Sequence, residues 1–188
     1  MTHDDEDLAE RAARGDQEAF GELVMRYQDR VYTLARRLGN SAEDAQDATQ
    51  DTFLRAWRAL PRFRKDARFS TWLYRIASRR ALDVAVRRCS IEEYEADFEE
   101  VTVGRSARGE DSAPVGAGQR GDLERLIGTL SPMQRAAITL FYYQDRSVRE
   151  VSVALGLPEG TVKTHLHRAR AVLRRRLEAA GFRREEYP

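Results

Sequence analysis

The residues best placed to do chemistry lie in one run, Leu157-Pro-Glu-Gly-Thr-Val-Lys-Thr-His-Leu-His-Arg-Ala-Arg170. A helix begun near Thr161 sets Val162, Leu166, Ala169, Leu173 and Leu177 on one face, at spacings of four, three, four and four residues. The opposite face carries Thr164, His167, Arg168 and Arg175. Between Thr161 and Leu177 there are six Lys or Arg and no acid. The chemistry this suits is recognition: phosphates attract the cations, and base edges in the DNA major groove accept hydrogen bonds from hydroxyl and guanidinium donors. A solvated basic helix would have the same composition. What precedes the run favours DNA: a capping box at Ser147-Val-Arg-Glu150, a short apolar helix to Leu155 and a Gly156 stop, the first half of a helix-turn-helix.

Two other constellations carry charge at defined spacing. Asp44, Asp47 and Asp51 stand three and four apart, so a helix projects their carboxylates from one side, with Gln50 at the edge of that face. An acidic first turn that favours the helix dipole accounts for Glu43 and Asp44, but Asp51 lies deeper in the helix. Further on, Arg62, Phe63, Arg64, Lys65 and Arg68 form a short basic loop with an aromatic inside it.

Helices must position all three. Apolar periodicity predicts helices over Asp5 to Arg14 and Asp16 to Leu38, the latter with a stripe of Phe20, Leu23, Val24, Tyr27, Val31, Leu34, Ala35 and Leu38. Gly39-Asn40 ends that helix. Ser41-Ala-Glu-Asp44 resembles a capping box that opens a helix to about Leu60, where Pro61 stops it. The helix after the basic loop spans Phe69 to Arg88, buried through Phe69, Trp72, Leu73, Ile76 and Ala77. From Cys89 to about Gln119 the chain turns acidic and then rich in Gly, Ser and Ala, a flexible linker. Ile91, Tyr94 and Phe98 punctuate it at spacings of three and four and suggest a short amphipathic helix. Helical pattern resumes with Leu123, Leu126, Ile127 and Leu130, then Ser131-Pro-Met-Gln134 caps a helix to about Tyr143. The fold expected is all-α: a bundle over residues 1–88, a tether over 89–119, and a helix-turn-helix unit over 120–188.

The net charge of +1 over 188 residues hides a sorting of charge along the chain. Residues 43–51 hold four acids and no base, residues 68–88 six Arg against Asp83 alone, and residues 89–118 eight acids against Arg105 and Arg108. One cysteine, Cys89, allows neither an internal disulfide nor a thiol cluster, and its place after a basic helix leaves open either a reactive thiol or an incidental one. His165 and His167 are two apart on a helix and do not face each other, so no metal site is expected. No run approaches the ~20 apolar residues of a membrane span. A cytoplasmic protein without cofactor is expected. No phosphate-binding glycine loop or nucleophile–base pair points to an enzyme.

Four stretches in this order resemble the bacterial RNA polymerase sigma factors of extracytoplasmic-function (ECF) type. They are Gly15-Asp-Gln-Glu-Ala-Phe20, Ala42 to Trp57, Phe63 to Ala77, and Leu157 to Lys163 with Leu166 to Arg170. The resemblance implies sigma domains 2 and 4 and a subunit that binds RNA polymerase core and promoter DNA. It implies that Asp44, Asp47, Gln50 and Asp51 dock on a coiled coil of the largest polymerase subunit. It gives the −10 element to Arg62, Phe63, Arg64, Lys65, Arg68, Tyr74, Arg75 and Arg79, and the −35 element to Thr161, Lys163, Thr164, His167, Arg168 and Arg175. The residues suit these roles: arginines track a displaced strand, and Phe63, Trp72 or Tyr74 can stack on unpaired bases. Trp72 is at core spacing, so packing competes with stacking there. Arg79 stands where many members carry Asn, and cannot accept a hydrogen bond, which would alter −10 preference. Asp83 is spaced to pair with Arg79 or Arg80. Family members are usually held by an anti-sigma protein, often at the membrane. A DNA-binding regulator acting without the polymerase is the alternative, but it leaves the acidic face and the basic loop without a role.

Overall fold

The computed structural model of the chain describes the backbone of residues 4–99 and 125–179, and the side chains of residues 4–86 and 125–179. Every described element is helical. Helices α1 (Asp5–Ala13), α2 (Gln17–Arg37), α3 (Ala42–Ala59) and α4 (Phe69–Glu99) are followed by α5 (Pro132–Ile138), α6 (Val148–Leu155) and α7 (Glu159–Ala179). A short 3-10 turn at Leu60–Arg62 closes α3, and the chain widens into a π-helical turn at Thr139–Tyr143 after α5.

Side-chain caps set these boundaries, three of them at the expected Ser41, Ser131 and Ser147. Asp16 accepts the Ala19 amide at 3.0 Å and opens α2. Ser41 accepts the Asp44 amide, but Asp44 answers to the Ser41 hydroxyl at 2.7 Å rather than to its backbone, a variant of the expected box. Ser131 and Ser147 both close reciprocal boxes, with Gln134 and Glu150. Gly39 and Gly156 end α2 and α6 with φ of +98° and +67°, the left-handed backbone that glycine adopts without a Cβ clash.

Burial follows the apolar stripes. Leu8, Leu23, Val31, Leu34, Leu38, Phe69 and Leu73 are buried among α1 to α4, and Leu140, Val151, Val162 and Leu166 among α5 to α7. Each fully buried side chain of this kind contributes about 1.5–3 kcal/mol, which explains why the stripes outrank the many charges in choosing the fold. Aromatic edges lock the centre of the bundle: Tyr27 meets Phe69 at 5.8 Å, and Phe69 meets Trp72 and Phe63 at 5.8 and 6.3 Å.

One expectation is corrected. Helix α4 does not end at Arg88. It continues to Glu99, so the acidic segment begins inside a helix, and Ile91, Tyr94 and Phe98 belong to α4 rather than to a separate one. The composition changes at Cys89, but most of its acids are Glu, a good helix former, and no Gly or Pro lies between Arg88 and Glu99. The remainder of the segment read as a linker, residues 100–119, lies outside the described residues, as do residues 120–124. The helix-turn-helix unit, expected as a second helical unit, packs on the bundle in this structure. Helix α6 lies along α4, α5 touches α2 and α4, and one continuous buried core joins the two halves.

Candidate nucleic-acid interface

Helix α7 divides as its periodicity requires. Val162, Leu166 and Ala169 are buried against α5 and α6, whereas Lys163, Thr164, His167, Arg168 and Arg175 are exposed and Thr161 is half-buried. The Thr164 hydroxyl donates to the Gly160 carbonyl at 2.9 Å, which leaves its oxygen free to accept. The turn before α7 is rigid. Ser152 donates to the Leu157 carbonyl, Gly156 caps α6, and the Pro158 carbonyl accepts the amides of Thr161 and Val162. The helix therefore starts at Glu159, one half-turn earlier than its apolar pattern indicates, because those positions face solvent. His165 lies between the two faces, half-buried, and among the described residues no cluster of His, Cys, Asp or Glu could hold a metal ion.

The basic loop is exposed at Arg62, Arg64, Lys65 and Arg68, and half-buried at Phe63. Its shape comes from α1, which sequence reasoning did not connect with it. Glu6 accepts the Phe69 amide at 3.2 Å at the start of α4, and Glu10 pairs with Lys65 at 2.7 Å. Lys65 takes the left-handed backbone, φ 57°, at the bend. Lys65 with Arg14 holds the Glu10 carboxyl below the usual carboxylate range. Phe63 leans on Trp72, with ring centroids 5.0 Å apart, so Trp72 is the half-buried floor under Phe63. The signal for α1 was its acidic first turn, which reads equally well as dipole compensation.

Downstream, Arg75 and Arg79 are exposed on α4. Tyr74 is not available. It is fully buried, its hydroxyl donating to Gln144 Oε1 at 2.7 Å, and burial pushes its phenol above the ordinary value. The sequence reading placed Tyr74 among strand-contacting residues; the packing of α6 on α4 encloses it instead. Arg80 pairs with Asp51 and not with Asp83: its Nε lies 2.6 Å from Asp51 Oδ2, off the hydrogen-bond axis, while Arg55 donates to the same oxygen at 2.9 Å.

That pairing splits the acidic face. Asp47 and Gln50 are exposed, Asp44 is tied to Ser41, and Asp51 is turned towards α4. Beside Gln50 runs a groove between α2 and α3 of about 540 Å³, lined by Phe20, Val24, Thr49, Phe53, Leu54 and Trp57 among others. Leu54 is 55% exposed at its rim, an apolar side chain facing solvent where a charge would be expected. Sequence reasoning assigned Phe20 and Val24 to the core and passed over Leu54. An apolar residue two positions off the Ala45, Ala48, Thr52 and Ala56 buried face was the available signal.

Comparison with known proteins assigns these elements. The sigma-70 region 2 family matches residues 23–89, and the sigma-70 region 4 family matches residues 120–173. The RNA polymerase sigma-H factor of Pseudomonas aeruginosa is 35% identical over 93% of this chain and 94% of its own length. The ECF RNA polymerase sigma factor SigW of Bacillus subtilis is 33% identical over 87% and 91%. A solved structure, CnrH in complex with the cytosolic domain of CnrY, superposes with a TM-score of 0.70 at 31% identity, over 93% of this chain and 97% of that one. The sigma factor RpoE bound to the anti-sigma factor NepR, from Bartonella quintana, shares the fold, with a TM-score of 0.65 at 24% identity over 85% and 96%. The match to both sigma regions removes the alternative of a regulator that acts without the polymerase. The chain belongs to the ECF RNA polymerase sigma factors, the initiation subunits that bind polymerase core and promoter DNA.

Proposed function

We propose that this sigma factor divides its work among three surfaces. Asp47, Gln50 and the apolar groove beside them seat a helical element of the polymerase core, with Asp44 and Asp51 acting from the edge of that surface. Arg62, Phe63, Arg64, Lys65, Arg68, Arg75 and Arg79 follow the −10 strand. Lys163, Thr164, His167 and Arg168 enter the −35 major groove, flanked by Thr161 and Arg175. One observation carries this reading: on α7 the candidate contacts are exposed while their helical neighbours Val162, Leu166 and Ala169 are buried. That is the arrangement a groove-reading helix requires.

The divisions follow from charge and shape. The basic loop supplies cations and one half-buried ring, so it favours a single strand held by backbone and stacking. The groove supplies apolar area with a rim of carboxylate and amide, which suits an amphipathic helix laid across it. The chain contributes binding and positioning, and the polymerase does the chemistry. Residues 1–88 act as sigma domain 2 and residues 120–188 as sigma domain 4.

The titles of the similar structures, a CnrH–CnrY complex and a sigma factor bound to the anti-sigma factor NepR, support control by an anti-sigma partner here too. None of the described helices is long and apolar enough to cross a membrane. Any membrane attachment would come through that partner, with the sigma factor itself cytoplasmic.

The test is selection of promoters from a random library with polymerase core and this chain, followed by run-off transcription. Enrichment of a two-part motif supports the reading. If core with the chain initiates no better than core alone on any sequence, the reading fails.

A further inference from the structure

The basic loop has a shape that its own residues do not favour. Between Arg62 and Arg68 there are four cations and one acid, Asp66, and all four cations are exposed beside the positive end of α4. Arg68 stands at the N-cap of that helix: its carbonyl accepts the Trp72 amide at 3.1 Å, and α4 begins at the next residue. A guanidinium has no acceptor for an unpaired amide and adds charge of the wrong sign to the dipole. Arginine is therefore a poor cap. Lys65 adds a second cost, a left-handed φ of 57° at a residue that carries a Cβ.

Helix α1 supplies what the loop lacks. Glu6 Oε1 accepts the Phe69 amide at 3.2 Å, a cap delivered from a helix 63 residues away in the chain. Glu10 divides its oxygens, Oε2 to Lys65 at 2.7 Å and Oε1 to Arg14, and so ties α1 to the bend. Glu6 and Glu10 are four apart, one above the other on a single face of α1. The helix that carries them is itself fixed. Leu8, Ala9 and Ala12 are buried, and Asp5 accepts from Arg26 Nη1 at 2.7 Å and from the Tyr27 hydroxyl, both on α2. The Tyr27 ring in turn meets Phe69 edge-on at 5.8 Å, so one tyrosine holds both α1 and the helix that α1 caps.

These bonds act on the loop more than on the fold. The Lys65 and Glu10 side chains are 53% and 43% exposed, and ion pairs of that kind contribute little to global stability. Local order in an exposed segment, however, is decided by free energies of that size. Neither carboxylate can hold a DNA strand, because each carries the same charge as a phosphate. Both act through their partners, Lys65 and the first amide of α4. A cap brought from outside the loop has one further consequence: the N-cap position is left to Arg68, whose side chain stays exposed.

Resting on the −10 assignment in the three-surface reading above, we propose that Glu6 and Glu10 are positioning residues for −10 recognition. Helix α1 caps α4 in place of Arg68 and pins Lys65, so the loop from Arg62 to Arg68 holds its strand-receiving shape before DNA arrives. The arrangement lets a cation occupy the cap position, where Ser or Asp would serve the helix but offer the strand no positive charge. A loop held in this way binds with its intrinsic affinity. A loop released from α1 binds in proportion to the fraction of molecules that keep the shape.

The test uses the full chain with polymerase core and three variants, Glu6→Ala, Glu6→Gln and Glu10→Ala. Fluorescence anisotropy reads two probes from a library-selected promoter: a single-stranded oligonucleotide bearing its −10 sequence, and a duplex bearing its −35 sequence. Circular dichroism and urea unfolding check the fold. Glu6→Ala should weaken the −10 oligonucleotide by roughly three- to ten-fold and narrow its advantage over a scrambled sequence. Affinity for the −35 duplex should stay within about two-fold, since that surface is distant and separately held. Glu6→Gln keeps an acceptor oxygen and should restore −10 binding. Glu10→Ala should act in the same direction as Glu6→Ala but more weakly, and it carries the test if Glu6→Ala does not fold. The proposal is overturned if folded variants bind the −10 oligonucleotide as wild type does, if −35 binding falls in parallel, or if Gln is no better than Ala at position 6. Tighter −10 binding by Glu10→Ala would overturn it too, by showing that Glu10 competes with phosphate. If wild type with core does not distinguish the −10 sequence from its scramble, the −10 assignment fails and the positioning role with it. If wild type distinguishes them and the variants match it, only the positioning role fails.

Discussion

Arg80 and Asp51 form an ion pair between α4 and α3, with Nε 2.6 Å from Oδ2. The pair joins the helix that carries −10 candidates to the helix that carries the acidic face. It also removes Asp51 from the outward set in which helical spacing placed it. Asp47, one turn earlier and on the same face, has no such tie and remains exposed.

The two carboxylates should therefore respond differently to replacement. Asp47→Lys should leave stability within about 0.5 kcal/mol and reduce polymerase-core binding. Asp51→Ala should cost about 1–2 kcal/mol in urea unfolding, because Arg80 Nε is enclosed and loses its counter-charge. Equal loss of stability in both would show that the ion pair does not set their roles.

Arg168 and Arg175 are both exposed on α7, nearly two turns apart. Arg168→Ala should weaken binding to the selected −35 sequence by about 1–3 kcal/mol and relax preference at one or two base positions. Arg175→Ala should weaken binding to all sequences alike and flatten the salt dependence. Fluorescence anisotropy on matched and mismatched duplexes separates the two. A uniform loss for Arg168→Ala would mark it as a phosphate contact.

Gly39 sits where α2 meets the second unit. Its φ is +98°, and a Cβ there would stand 2.3 Å from Arg135 Nη1. Gly39→Ala should destabilise the fold by roughly 1–2 kcal/mol from the backbone alone, with the Arg135 side chain displaced as well. Chemical denaturation and the scattering radius of the variant report the two effects. An unaltered unfolding midpoint would contradict the argument.

Acid should loosen the caps. The Ala19 amide, then Arg11, hold the Asp16 carboxyl below its ordinary 3.8 against the opposing effect of burial. At Glu150 burial is the largest influence and acts upward, but the Ser147 amide and hydroxyl, Arg146 and Thr71 together outweigh it and keep the group below 4.5. A carboxyl lowered in the folded state binds fewer protons there than when unfolded. Its stabilisation is complete above those ordinary values and is lost as pH falls through the lowered ones. Urea midpoints should therefore drop below about pH 4.5, and the Asp16→Asn, Glu150→Gln double variant should show a shallower slope. Parallel slopes would show that other acids carry the effect.

Much of this protein was legible along the chain. Helix positions, the caps at Ser41, Ser131 and Ser147, and the inward set Val162, Leu166 and Ala169 all follow from interactions within a turn or two, and a repeat of 3.6 residues encodes those directly. What lies across the fold was not legible. Tyr74 and Gln144 are seventy residues apart, Phe69 and Glu6 sixty-three, and no local pattern distinguishes a tyrosine that will meet a base from one that another helix will enclose. The same holds for Asp51, whose partner Arg80 comes from the neighbouring helix α4, well beyond the reach of any local pattern. Local periodicity determined which side of each helix turns inward. Only the docking of α6 on α4 and of α4 on α3 decided which polar groups remain exposed, because burial there depends on what the other helix brings.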